Sequence, residues 1–128
     1  WQIKGDMAGN IAPSSHWPSP IVAVDSPTDR GPVMITVEYL IDPARKAEFA
    51  KAMGTLRRIR HRDGAISWAL YEDAAEPGRM VESFVLESWL EHLRQHERVT
   101  HADREDQEAV RGFHLGTEPP VVRHLIAP

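Results

Sequence analysis

The chain contains no cysteine, which excludes disulfides, thiolate metal sites and cysteine nucleophiles. That suits a reducing compartment. No apolar run approaches the ~18 residues of a membrane span. Excess charge is also scarce. A formal net charge of −4 over 128 residues is too weak to mark nucleic acid or an acidic polymer as the main partner. No signal-peptide pattern follows Trp1, and the chain reads as a piece of something longer. What remains is ordinary: 41% hydrophobic residues, enough for one core in a chain of single-domain length.

Residues 1–32 hold five of the ten prolines. They show no helical stripe and little alternation, and proline removes backbone donors that regular structure uses. The segment reads as an extended arm or linker, pinned locally by Trp17, Ile21 and Val22. Residues 33–128 read as the folded domain.

"VMITVEYLI" predicts a strand in which Val33, Ile35, Val37 and Tyr39 alternate with Met34, Thr36, Glu38 and Leu40. Both faces carry apolar residues, so both are expected to be covered. Asp42-Pro43 is a helix start, an Asx cap before proline. Phe49, Ala52, Met53 and Leu56 give the helical stripe, and Gly64 ends it. "AISWALYED" predicts a second strand, with Ile66, Trp68 and Leu70 on one face and Ser67, Ala69 and Tyr71 on the other. After the turn "AAEPG" comes "RMVESFVLE", its hairpin partner. Ser88 and Glu91 form a capping box that opens a second helix. A further helical segment runs from about Ala102 to His114, "GTEPP" breaks it, and "VVRHLIA" is a last strand.

The order β-α-β-β-α-β predicts an α+β, ferredoxin-like domain with a four-stranded antiparallel sheet. Helices cover one face of such a sheet. A second copy, sheet against sheet, is the simplest cover for the other.

Glu87-Ser88-Trp89 at the end of the third strand, followed by His96 and His101, resembles the motif of the antibiotic biosynthesis monooxygenase superfamily. Its members form dimeric α/β barrels. Longer segments, "HWPSPIV", "RGPVMITVEYLIDPAR", "RRIRHRDGAISWALYEDAAEPGRMVESFVLESWLEHLRQHERVTHADR" and "PPVVRHLIA", resemble the C-terminal extension of bacterial major facilitator superfamily transporters of the transmembrane secretion effector type. This resemblance covers nearly the whole chain. It implies a soluble, non-catalytic accessory domain that dimerises or senses a ligand on the cytoplasmic side of the bacterial inner membrane. Its partners would be a second copy, the parent chain's membrane domain and a small aromatic ligand. The alternative is a monooxygenase acting on an aromatic polyketide-like substrate or haem. Haem-degrading relatives use an asparagine on strand one, and Val33–Leu40 has none. No cofactor and no metal are therefore expected.

Trp68, Tyr71, Trp89, His92 and His96 are the pocket candidates. His92 and His96, spaced i, i+4, share a helix face, but no third metal ligand is fixed by the sequence, and His92 is expected on a solvated face. Were the domain an enzyme, His96 and Glu82 would be its catalytic residues. Glu82 lies mid-strand, where a carboxylate acts as a base or pairs with Arg79, Arg123 or another arginine. Arg57, Arg58, Arg60 and Arg62 form a basic cluster that suits a helix C-terminus and could meet anionic lipid or acidic loops.

Overall fold

The structure, a computed structural model, describes residues 30–97 and 101–128; the side chains of 95–97 and 101 lie outside that description. The expected arm falls almost wholly outside the described residues. The elements are β1 (Val33–Leu40), α1 (Lys46–Arg62), β2 (Ser67–Glu72), β3 (Arg79–Leu86), α2 (Trp89–Glu97), α3 (His101–Arg111) and β4 (Val121–Ile126). They form one antiparallel sheet of order β2-β3-β1-β4. This is the split βαβ arrangement that the element order predicts.

Local sequence sets the helix starts. The Asp42 carboxylate accepts from the Ala44 N–H at 3.0 Å, and Pro43 opens a short 3-10 turn before α1. Ser88 Oγ accepts from the Glu91 N–H at 3.2 Å, so one half of the expected capping box is in place. The last helix, α3, ends at Arg111, three residues before the expected stop. At the β2–β3 turn, Gly78 has φ +91°, and a Cβ there would lie 2.4 Å from the Ile41 carbonyl oxygen. Only glycine allows that approach, which lets Ile41 N–H donate to the Gly78 carbonyl at 2.8 Å.

The core lies between α1, α3 and one face of the sheet. Val33, Ile35, Val37 and Tyr39 of β1 and Met80, Phe84 and Leu86 of β3 point into it. Phe49, Met53 and Leu56 of α1 and Val110 of α3 close it from above. Each such large side chain contributes roughly 1.5–3 kcal/mol on burial. Tyr39 and Phe113 both pack edge-on against the Phe49 ring.

The opposite face carries Met34, Thr36, Glu38 and Leu40 of β1, Val81, Ser83 and Val85 of β3, Ala69 and Tyr71 of β2, and Val121, Arg123 and Leu125 of β4. No described element covers it, and Met34, Leu40, Tyr71, Val121 and Leu125 are exposed there. The expectation that both faces of β1 are covered therefore holds within one chain for the helical face alone.

Candidate functional site

Two side-chain clusters lie on the helical face of the sheet. The first centres on Glu82, the middle of β3 and wholly buried. Arg60 Nε donates to one Glu82 oxygen at 3.0 Å, and Arg60 Nη2 donates to the other at 3.3 Å. Trp68 Nε1 donates to the first oxygen at 2.9 Å. The carboxylate thus receives a two-pronged guanidinium and an indole N–H, the arrangement that makes a buried charge tolerable. Burial disfavours the Arg60 charge, but the facing Glu82 more than compensates, and the guanidinium is held above its ordinary pKa. The Arg60 guanidinium also lies 4.4 Å from the Phe84 ring centroid.

Tyr39 borders this cluster. Its hydroxyl is buried facing Glu82, without a hydrogen bond of full geometry among the described residues. Burial first, then the Glu82 charge, pushes the phenol well above its ordinary pKa, so the group stays neutral.

The second cluster sits where α2 meets β4. Trp89, the first residue of α2, packs against His92 at 5.1 Å and His124 at 6.0 Å between ring centroids. The two imidazoles are 4.8 Å apart in an edge-to-face arrangement. The start of α2 is also tied to the segment before β1, because the Trp89 N–H donates to the Arg30 carbonyl at 2.9 Å. Half-burial lowers the His124 pKa.

Several expectations change here. His92 is not on a solvated face: it is 2% exposed, because the i+3 step from Trp89 carries it under the same helix face onto β4. His124, absent from the expected pocket, joins it through β4, whose pairing with β1 no local motif reveals. Tyr71 does not share a pocket with Trp68; strand alternation sends it to the open face, where it is 61% exposed. Nor do Trp68 and Trp89 line one site, since Trp68 belongs to the Glu82 cluster and Trp89 to the histidine cluster. The side chains of His96 and His101 lie outside the described residues.

The basic cluster is also divided. Arg60 is buried against Glu82, whereas Arg62 pairs with Asp63 and Asp103. Arg57 lies 5.9 Å from the centre of the Trp68 ring, and Arg58 donates to Thr55 Oγ1. Helical spacing turns Arg60 inward while its neighbours stay out. Arg79 and Arg123, named as possible partners of Glu82, instead bind Glu38 on the open face. Among the described residues no group of three or more His, Asp or Glu side chains is placed to hold a metal ion.

The open face carries an apolar groove of about 300 Å³ lined by Pro32, Met34, Val85, Leu125, Ile126 and Ala127.

The sheet order and single helical layer are those of antibiotic biosynthesis monooxygenase-like proteins. A candidate enzyme of that kind from Caulobacter crescentus CB15 is 21% identical, with a TM-score of 0.64, over 79% of this chain and 93% of that one. A second, from Bordetella bronchiseptica, is 23% identical, with a TM-score of 0.61, over 74% and 95%. SnoaB, a cofactor-independent oxygenase from Streptomyces nogalater, is 14% identical, with a TM-score of 0.55, over 75% and 90%. At these identities the likeness defines the fold. The chain itself belongs to the transmembrane secretion effector family, whose model matches residues 2–128. No curated protein matches it. Among the described residues no helix is long and apolar enough to cross a membrane.

Proposed function

We propose that this domain is a non-catalytic accessory module of a bacterial efflux transporter, joining two copies sheet to sheet on the cytoplasmic side of the inner membrane. The observation that carries this reading is the open sheet face. Met34, Leu40, Tyr71, Val121 and Leu125 are exposed on it, beside the apolar groove. Exposed apolar side chains gathered on one surface mark an interaction site. The ionic residues on the same face are matched: Glu38 takes both Arg79 and Arg123, and Arg79 also binds Asp73. A neutralised cluster is compatible with being covered by protein. Family membership supplies the transporter context.

The bonding of Glu82 supports a non-catalytic role. Both its oxygens are engaged by Arg60 and Trp68, so it serves the fold rather than waiting for a substrate proton. Light scattering at tens of micromolar tests the reading. A mass of twice 14.5 kDa is expected, and a monomer would overturn it.

A second reading keeps one observation in its favour. The buried Tyr39 hydroxyl and the Trp68–Glu82–Arg60 cluster stand between sheet and helices. Polar groups there could hold a small aromatic ligand, for sensing or for oxidation as in a cofactor-independent oxygenase. Oxygen uptake with an aromatic polyketide-like phenol, abolished in Glu82→Gln, would favour this reading.

A further inference from the structure

We propose that Tyr71 of each copy seats in the apolar groove of the other, between Met34 and Leu125. This rests on the reading of the open face as the contact between copies and adds its geometry.

The register sets the positions. Three rows cross all four strands of the open face, and Leu40 beside Arg79 begins a shorter fourth. Ser67, Val85, Met34 and Leu125 form the first; Ala69, Ser83, Thr36 and Arg123 the second; Tyr71, Val81, Glu38 and Val121 the third. Rows are about 7 Å apart and strands about 4.8 Å apart. Measured from the sheet centre, between Thr36 and Ser83, Tyr71 lies about 7 Å along the strands and about 7 Å across them. Met34 and Leu125 lie the same distance in the opposite direction along the strands, on the other side.

Two sheets face to face are related by a two-fold axis lying between them, so only the direction of that axis is open. An axis perpendicular to the strands would lay Glu38 over the partner copy's Met34, a charge on an apolar side chain. An axis along the strands would lay Glu38 over the partner copy's Val81 and Arg123 over its Ala69. One diagonal would lay Arg123 over the partner copy's apolar first row. The other diagonal avoids all of these. It carries Tyr71 onto Met34 and Leu125 and brings Arg123 over Glu38 of the second copy. Apolar then meets apolar, and cation meets anion. The strands of the two sheets cross at nearly a right angle, a known mode of sheet packing. Tyr71 is the large aromatic ring exposed on this face, and the groove of about 300 Å³ offers it an apolar seat. An aromatic anchor in a partner pocket is a typical centre of interface energy.

The absence of native cysteine makes the test clean. The variant Tyr71→Cys/Leu125→Cys, treated with a short bis-maleimide, should form a covalent dimer on a denaturing gel, because facing sheets stand about 10 Å apart and opposed thiols lie beyond direct disulfide reach. Within one chain these positions lie on opposite edge strands, about 20 Å apart, too far for the same linker. Neither single variant should cross-link, because each position lies about 20 Å from its own copy under this axis. In parallel, Tyr71→Ala should raise the dimer dissociation constant about thirtyfold or more, while Tyr71→Phe should keep it near the parent value. Cross-linking by Tyr71→Cys alone would overturn the proposal, as would an unchanged dissociation constant in Tyr71→Ala. A dimer in solution that the double cysteine variant does not lock also overturns it, yet leaves the accessory reading standing. A monomer defeats both.

Discussion

Arg60 on α1 and Glu82 on β3 form a two-pronged ion pair, 3.0 Å at its shorter bond, in the interior of the domain. They are 22 residues apart in sequence, and their pairing fixes how α1 lies across the sheet. Removing one partner should therefore cost far more than removing both. Arg60→Ala leaves a buried carboxylate without its cation and is expected to destabilise by roughly 3–5 kcal/mol. Arg60→Met combined with Glu82→Leu should recover most of that loss. Urea unfolding of the single and double variants measures the difference, and equal losses would show the pair to be incidental.

The α2 anchor gives a second expectation. Trp89→Ala opens a large cavity and should cost about 3–5 kcal/mol. His92 is buried against Trp89 and His124, so His92→Ala should cost about 1–3 kcal/mol rather than being neutral. Thermal unfolding is the check. A melting temperature unchanged in His92→Ala would return that residue to a solvated face.

Acid should loosen the open face through Glu38. Burial alone would raise its pKa, but the bonds from Arg123 and Arg79 lower it below the ordinary 4.5. A depressed carboxylate contributes stability that is fully present above its unfolded pKa and is lost as pH falls through the folded value. The affected window therefore opens near pH 4.5 and extends below it. Glu38→Gln should flatten the pH dependence of stability there, read from denaturation midpoints between pH 6 and pH 3 in steps of about half a unit. An unaltered slope in the variant would remove Glu38 from the account.

Two glycines should respond in opposite directions. Gly54 lies inside α1, and a Cβ added there would meet nothing within 4 Å, so Gly54→Ala should stabilise by about 0.5–1 kcal/mol. Gly78 has a positive φ, and a Cβ added there would lie 2.4 Å from a carbonyl oxygen. Gly78→Ala should destabilise by at least about 1–3 kcal/mol. Denaturation midpoints moving the same way in both variants would contradict this account.

Local signals determined much of this protein. Alternation in Val33–Leu40 marked β1, the Phe49–Met53–Leu56 spacing marked the buried stripe of α1, and Asp42 and Ser88 marked two helix starts. The element order then fixed the sheet topology, because few connections join such elements into one sheet. Periodicity also placed Tyr71 opposite Trp68. Tertiary structure alone decided the partners. Arg60 and Arg62 look alike in "RRIRHR", and only the lie of α1 over β3 puts one beneath the helix against Glu82 and leaves the other at the surface with Asp63 and Asp103. His124 reaches His92 only because β4 returns beside β1. A side chain's period is written in a few neighbouring residues, but its contacts depend on chain segments far away in sequence, and packing brings those together.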